Sequence, residues 1–205
     1  MIIAGIDEAG RGPLMGPVTA SCVILKCPKT ASKLKELGLD DSKKLSPKKR
    51  QLIYDFLKNA QKDNKVLIGF SSINEKVIDK INILNATKLA MQQSYLDMIV
   101  KHKVTPDLTL VDGNFTPEIN CDCQSVIKGD QKHQEIAAAS VIAKVNRDKI
   151  VEYLSQKQPI YNWHKNKGYA TKEHIEAIHL NGASIYHRKT FAPIKDIIAS
   201  NDLFS

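Results

Sequence analysis

Two periods of apolar and polar positions alternate along this chain. Ile2–Asp7 is a short apolar run that predicts a buried strand. Val18–Leu25, rich in β-branched residues, predicts its hairpin partner across the Gly/Pro turn Gly12–Pro17. Pro47–Gln61 changes to helical spacing, with Leu52, Ile53, Phe56 and Leu57 on one face and Ser46-Pro47 as a capping start. Val66–Ile73 predicts a third strand. Asn85–Lys103 predicts a long amphipathic helix with Leu89, Gln93, Leu96 and Val100 along one stripe. Leu108–Val111 predicts a short strand ending at Asp112, and Gln124–Ile127 a fifth. Ile136–Leu154 predicts a helix whose start, Ala137-Ala138-Ala139-Ser140, is small enough to approach a neighbour closely. Lys172–Leu180 and Pro193–Ser200 predict further short helices.

Strands mixed with helices in this order predict an α/β fold: a mixed five-stranded sheet flanked by helices, with a helical C-terminal region. No repeat or low-complexity linker divides the chain. A single domain over residues 1–205 is expected, with a core to about residue 155 and a helical extension over about 156–205.

Composition narrows the class. Hydrophobic residues make up 42% and charged residues 25% of the 205, which fits a folded globular chain and argues against disorder. Lys and Arg number 30 against 22 Asp and Glu, a formal charge of +8. Such an excess favours phosphate-bearing partners, or serves solubility alone. It clusters at Lys43, Lys44, Lys48, Lys49 and Arg50, and again at His187, Arg188 and Lys189. Cys22, Cys27, Cys121 and Cys123 form no Cys-x-x-Cys pair, so reduced thiols in a cytoplasmic protein are expected. No apolar run approaches membrane-spanning length and no signal peptide is visible, so no membrane partner is expected.

Four carboxylates stand out by position. Asp7 and Glu8 close the first apolar run, Asp112 closes the fourth strand, and Asp130 follows the fifth. Sites in open α/β sheets gather at strand ends, so neighbouring strands would bring these acids together. Clustered carboxylates repel, and hard oxygen donors select Mg²⁺ or Mn²⁺ as the neutralising cation. Each acid also has an ordinary reading. Asp112-Gly113 is a turn signal, and Asp130 could cap the helix that follows. Strand alternation should send Asp7 and Glu8 to opposite faces.

Gly10-Arg11-Gly12-Pro13-Leu14-Met15-Gly16-Pro17 lacks the Lys-Ser/Thr ending of a P-loop and leads to a strand. It is either a plain turn or a place where a ligand meets the backbone closely. Asp41-Ser42-Lys43-Lys44-Leu45-Ser46 reads as a phosphate-contacting loop or as a solvated basic one. Tyr169, beside Gly168, is either a core tyrosine or a stacking platform for a sugar or base.

Together these segments resemble the ribonuclease HII family. The matching stretches are Gly5-Ile6-Asp7-Glu8-Ala9-Gly10-Arg11-Gly12-Pro13-Leu14, Asp41-Ser42-Lys43-Lys44-Leu45, Val111-Asp112-Gly113-Asn114 and Lys128-Gly129-Asp130. They continue through Ala137–Asp148, Gly168-Tyr169-Ala170-Thr171 and His187-Arg188-Lys189-Thr190-Phe191. The resemblance implies a ribonuclease H-like fold. It implies that Asp7, Glu8, Asp112 and Asp130 bind Mn²⁺ or Mg²⁺ and carry the chemistry. It implies that Gly10, Arg11, Gly12 and Tyr169 read a ribose 2′-hydroxyl; Lys43, from the basic loop, is a further candidate substrate contact. The implied substrates are RNA/DNA hybrids and duplex DNA containing ribonucleotides, cut on the 5′ side of the ribonucleotide. Ala9 and the absence of an N-terminal extension resemble type 2 rather than type 3 enzymes. The chain stops soon after Phe191, so a sliding-clamp interaction is not expected, and nothing demands more than a monomer. Two rivals stay open: a DNA nuclease on the same fold, and a non-catalytic nucleic-acid-binding module.

Overall fold

The computed structural model describes residues 1–39, 42 and 45–202. Five strands form one sheet: β1 (Ile3–Ala9), β2 (Val18–Leu25), β3 (Val66–Ile73), β4 (Leu108–Asp112) and β5 (Asp122–Val126), in the order β3-β2-β1-β4-β5. β1, β2 and β3 pair antiparallel, whereas β4 lies parallel to β1 and β5 parallel to β4. This is the mixed sheet expected from the sequence. The β1–β4 register runs to Ile6 opposite Val111. Asp7 and Asp112 therefore come next on neighbouring parallel strands.

The helices are α1 (Pro28–Glu36), α2 (Pro47–Lys62), α3 (Glu75–His102), α4 (Gln134–Lys157), α5 (Trp163–Asn166), α6 (Lys172–Asn181) and α7 (Ile194–Asp202). α3 covers one sheet face, where Ala4, Ile6, Ala20, Cys22 and Leu67 meet Ala86, Ala90, Met91 and Met98. α2 and α4 cover the other, where Val23, Val66 and Ile68 meet Ile53, Leu57, Ala138, Ala139 and Ile142. A third cluster, around Trp163, joins α4 to the C-terminal helices and to Leu14 and Met15. No described helix is long and apolar enough to cross a membrane.

The small-residue start of α4 does what its composition suggests. Gly5 of β1 sits against the backbone of Glu135 and Ile136, so a Cβ there would collide with main chain. Ala137 to Ser140 are all buried. Thr19 of β2 donates to the Ala143 carbonyl at 3.1 Å, pinning helix to sheet. Ser46 caps α2 as expected, accepting from the Lys49 amide at 3.3 Å.

Several expectations need correction. α1 has no counterpart in the predicted elements. α3 begins at Glu75 and breaks at Asn82 (φ 66°), whose side chain accepts from the Asn85 amide at 3.1 Å. The expected start at Asn85 catches only the second segment. The stripe Leu89–Gln93–Leu96–Val100 is not the buried face, since Leu96 is 51% and Val100 75% exposed. The face that packs is Ala86, Thr87, Ala90, Met91, Ser94, Tyr95 and Met98, whose small and polar members weaken the hydrophobic signal. In α2, Leu52 is exposed, and Tyr54 and Ala60 complete the buried side. The second basic cluster is no surface patch: His187 and Arg188 are buried.

Candidate active site

Asp7, Asp112 and Asp130 converge. One carboxylate oxygen from each lies within 4.8 Å of the other two. Asp7 comes from β1, Asp112 from the end of β4, and Asp130 from a 3-10 turn over Gly129–Gln131. That turn is held by its own start: the Gly129 amide donates to the Asp112 carboxylate at 2.7 Å. Gly113, at φ 106°, takes the backbone away from Asp112 through a conformation that suits glycine. Asp130 does not cap α4, whose N-cap is His133 with no side-chain cap bond.

Strand alternation is kept at the acidic pair. Ile6 packs with the α3 side of the sheet. Asp7 turns to the α4 side, towards Ser140. Ser140 in turn lies 2.7 Å, oxygen to oxygen, from Ser42. Glu8 is not one of the converging trio. It lines a cavity of about 450 Å³ together with Ala9, Gly10, Arg11, Gly12, Ser42, Ile83, Lys144 and Tyr169. Its charge still acts on Asp7, so the fourth acid stands beside the trio.

Burial raises the Asp7 carboxyl well above the usual carboxylate range, and the charges of Glu8 and then Asp112 push the same way. The nearby Ser140 hydroxyl, and the Glu8 amide that donates to Asp7 at 2.7 Å, oppose them. A desolvated carboxyl thus sits within the field of neighbouring carboxylates. An all-carboxylate, all-oxygen donor set fits a hard divalent cation such as Mg²⁺ or Mn²⁺.

The glycine segment and Tyr169 share the adjacent cavity. Arg11 reaches Glu8 at 3.6 Å and lies over the Phe115 ring at 5.2 Å. Tyr169 is 48% exposed, so it is not a core residue. Gly12 lies opposite the Tyr169 ring, where a Cβ would make only ordinary contact. Gly10 has φ 95°, and a Cβ there would collide with the Arg147 side chain. Lys43, with Asp41 and Lys44, lies outside the described residues.

Reasoning from the sequence assigned no individual role to Lys144 or Arg147, and read Ser42, Ser140 and Arg188 only as members of a loop, a helix start and a basic cluster. A signal existed for Arg147. It stands four residues from Ala143 and from Val151, on the core-facing stripe of α4. Arg188 lies in a loop, where no periodicity marks it.

Residues 4–193 match the family described as Ribonuclease HII. The Ribonuclease HII of Wolbachia pipientis subsp. Culex pipiens (strain wPip) is 46% identical over 194 residues, 95% of this chain and 92% of that protein. The crystal structure of the ribonuclease H2 from Pyrococcus horikoshii OT3 superposes with a TM-score of 0.75 at 24% identity, covering 98% of both chains. Bst-RNase HIII, crystallised in complex with Mn²⁺, superposes with a TM-score of 0.74 at 18% identity, over 98% of this chain and 70% of that one.

Proposed function

The chain belongs to the ribonuclease HII family, metal-dependent endoribonucleases that cleave the RNA strand of RNA/DNA hybrids, and from that premise we propose that it also incises duplex DNA on the 5′ side of an embedded ribonucleotide. The observation that carries this reading is the convergence of Asp7, Asp112 and Asp130 beside the cavity shared by Gly10, Arg11, Gly12 and Tyr169.

Asp7, Asp112 and Asp130, with Glu8 beside them, would hold Mg²⁺ or Mn²⁺. When bound, such ions lower the pKa of a coordinated water and stabilise charge on a phosphodiester and its leaving oxygen. Water attacks the phosphorus, the bond to the 3′ oxygen of the preceding nucleotide breaks, and that oxygen takes a proton. The products are a 3′-hydroxyl and a 5′-phosphate on the ribonucleotide.

The protein's own groups do the selecting. The Gly129 and Glu8 amides hold Asp112 and Asp7 in place before substrate arrives. Lys144 lines the cavity and pairs with Asp148 at 2.7 Å, which leaves a basic group at its wall for a strand's phosphate. Glycine at position 12 lets the backbone approach a sugar, and the exposed Tyr169 ring offers a stacking surface. The 2′-hydroxyl is the group that separates a ribonucleotide from its deoxy neighbours, so the segment that meets the sugar sets the substrate. Removal of misincorporated ribonucleotides and RNA primers would follow from this activity.

The test offers a duplex containing one ribonucleotide beside its all-DNA twin, in Mg²⁺ and in Mn²⁺. Cutting confined to the ribonucleotide, on its 5′ side, is the expected result. Equal cutting of both duplexes would rule out the junction-specific reading and favour a DNA nuclease.

A further inference from the structure

Two buried arginines hold the glycine segment from behind. Arg188, 0% exposed, donates from Nε to the Gly16 carbonyl at 3.0 Å, from Nη1 to Arg11 at 2.9 Å and from Nη2 to Gly10 at 2.6 Å. Arg147 donates to the carbonyls of Pro17, Met15 and Lys167, each at 3.2 Å. The Arg188 amide also donates to the Leu14 carbonyl at 2.8 Å. The guanidinium of Arg188 stacks over the Phe191 ring at 5.0 Å.

Among the described residues, no carboxylate lies within ion-pair distance of either arginine. Burial, and next the repulsion of Arg147, lower the Arg188 pKa to about 9, which leaves it cationic at neutral pH. Glu75 and Asp79 oppose that only from a distance. Two desolvated like charges are a poor way to stabilise a fold, because well-packed apolar side chains serve as well or better. What a guanidinium does that an apolar group or a lysine does not is fix several acceptors at once with a rigid fork of donors.

The acceptors chosen matter. In a trans peptide the carbonyl and the following N–H point in opposite directions. Pinning the Gly10 carbonyl towards buried Arg188 therefore aims the Arg11 amide away from it. Pinning the Arg11 carbonyl does the same to the Gly12 amide. Arg11 and Gly12 are exposed and line the cavity beside Glu8 and Tyr169.

We propose that Arg188 is a positioning residue for ribonucleotide recognition, which acts through the Gly10 and Arg11 carbonyls to aim the Arg11 and Gly12 amides at the sugar of the bound strand. This rests on the reading that residues 10–12 and Tyr169 sense the 2′-hydroxyl. It makes the C-terminal region, which supplies Arg188, part of the specificity device of the first loop.

The experiment compares dissociation constants in Ca²⁺, which supports binding without turnover, for a duplex with one ribonucleotide and for its all-DNA twin. A loss of folded protein lowers both affinities alike and leaves their ratio unchanged, so the ratio isolates positioning from stability. Arg188→Lys keeps the charge and loses the fork. The ratio should fall at least five-fold in this variant, while affinity for the all-DNA duplex stays within about two-fold. An unchanged ratio in folded Arg188→Lys overturns the proposal. If that variant does not fold by circular dichroism, Arg188→Gln, which buries no charge, is read in the same way. A native protein with no preference between the two duplexes would instead sink the reading beneath, whatever Arg188 does.

Discussion

The Gly129 amide donates to the Asp112 carboxylate at 2.7 Å, and this bond ties the turn that carries Asp130 to the end of β4. Asp112 is thus both a member of the trio and the anchor of another member. The two roles can be separated, because an amide oxygen accepts the same hydrogen bond without the charge. Asp112→Asn is expected to keep the fold and duplex binding in Ca²⁺. It should lower cleavage by roughly a hundred-fold or more, the scale of losing several kcal/mol of charge stabilisation. Gel-based cleavage and binding assays on one preparation check both parts. Undiminished cleavage would remove Asp112 from the site.

Asp7 should be a residue whose charge costs stability. Its folded pKa is raised by burial, then by Glu8 and Asp112. The folded state therefore holds its proton to higher pH than the unfolded state does. Stability from this group is greatest below the unfolded carboxylate range and is lost as pH rises through the folded pKa. In EDTA at pH 8, Asp7→Asn should be more stable than the native chain by on the order of 1 kcal/mol, roughly 2–4 °C in midpoint for this size. The same variant should not cleave. Mn²⁺ should raise the native midpoint, more at pH 8 than at pH 5, and raise that of Asp7→Asn less. A less stable Asp7→Asn in EDTA would contradict this account.

The C-terminal region should loosen in acid. Trp163 donates to His174 at 2.9 Å, the two histidine Nε2 atoms of His174 and His187 are 3.0 Å apart, and the Ser184 amide donates to His187 Nδ1 at 2.8 Å. Both rings are therefore neutral. Burial, with His174 next, lowers the His187 pKa to about 3, and burial lowers that of His174. Between the unfolded value near 6.5 and about 3, the unfolded chain binds more protons than the folded one. Stability is thus full above pH 6.5 and falls as pH drops through that window. His187 alone should cost about 2 kcal/mol at pH 5 relative to pH 8. Trp163 is the only tryptophan and stacks on Tyr161 at 5.0 Å, so its fluorescence reports the change directly. His187→Gln should flatten the loss of midpoint between pH 7 and pH 5; an unaltered slope would count against the histidine pair.

Two neighbouring glycines should fail differently. Gly10→Ala forces a side chain onto φ 95° and into buried Arg147, and is expected to destabilise by roughly 1–3 kcal/mol. Gly12→Ala meets only the Tyr169 ring at ordinary distance, so stability should change by less than about 0.5 kcal/mol. Its methyl nevertheless faces the cavity, and cleavage of a single-ribonucleotide duplex should drop. Urea titration and initial rates, measured on both variants, separate the two outcomes. Native cleavage by Gly12→Ala would show that no sugar comes close there.

Most of the framework is legible in the order of residues. Apolar runs and helical periods located β1 to β4, α2, most of α4 and the short helix α6, because these elements bury one apolar face or lie between apolar layers, and the edge strand β5 was found as well although it is largely exposed. The sequence also singled out Asp7 and Glu8, since charge at the end of a buried run is costly and so conspicuous, and Asp112 and Asp130 by their places at or after later strands. It misjudged α3, whose buried face mixes Ala, Ser and Thr with Met91, Tyr95 and Met98, and it gave no sign that His187 and Arg188 are buried. Only the tertiary structure decided that Asp7, Asp112 and Asp130 meet while Glu8 stands beside them, for this depends on the parallel β1–β4 register and on the Gly129 bond. Only the tertiary structure showed that Arg188 reaches back more than 170 residues to the Gly10 carbonyl. A backbone carbonyl leaves no mark on the identity of its residue, so no pattern of side chains can announce which arginine will hold it.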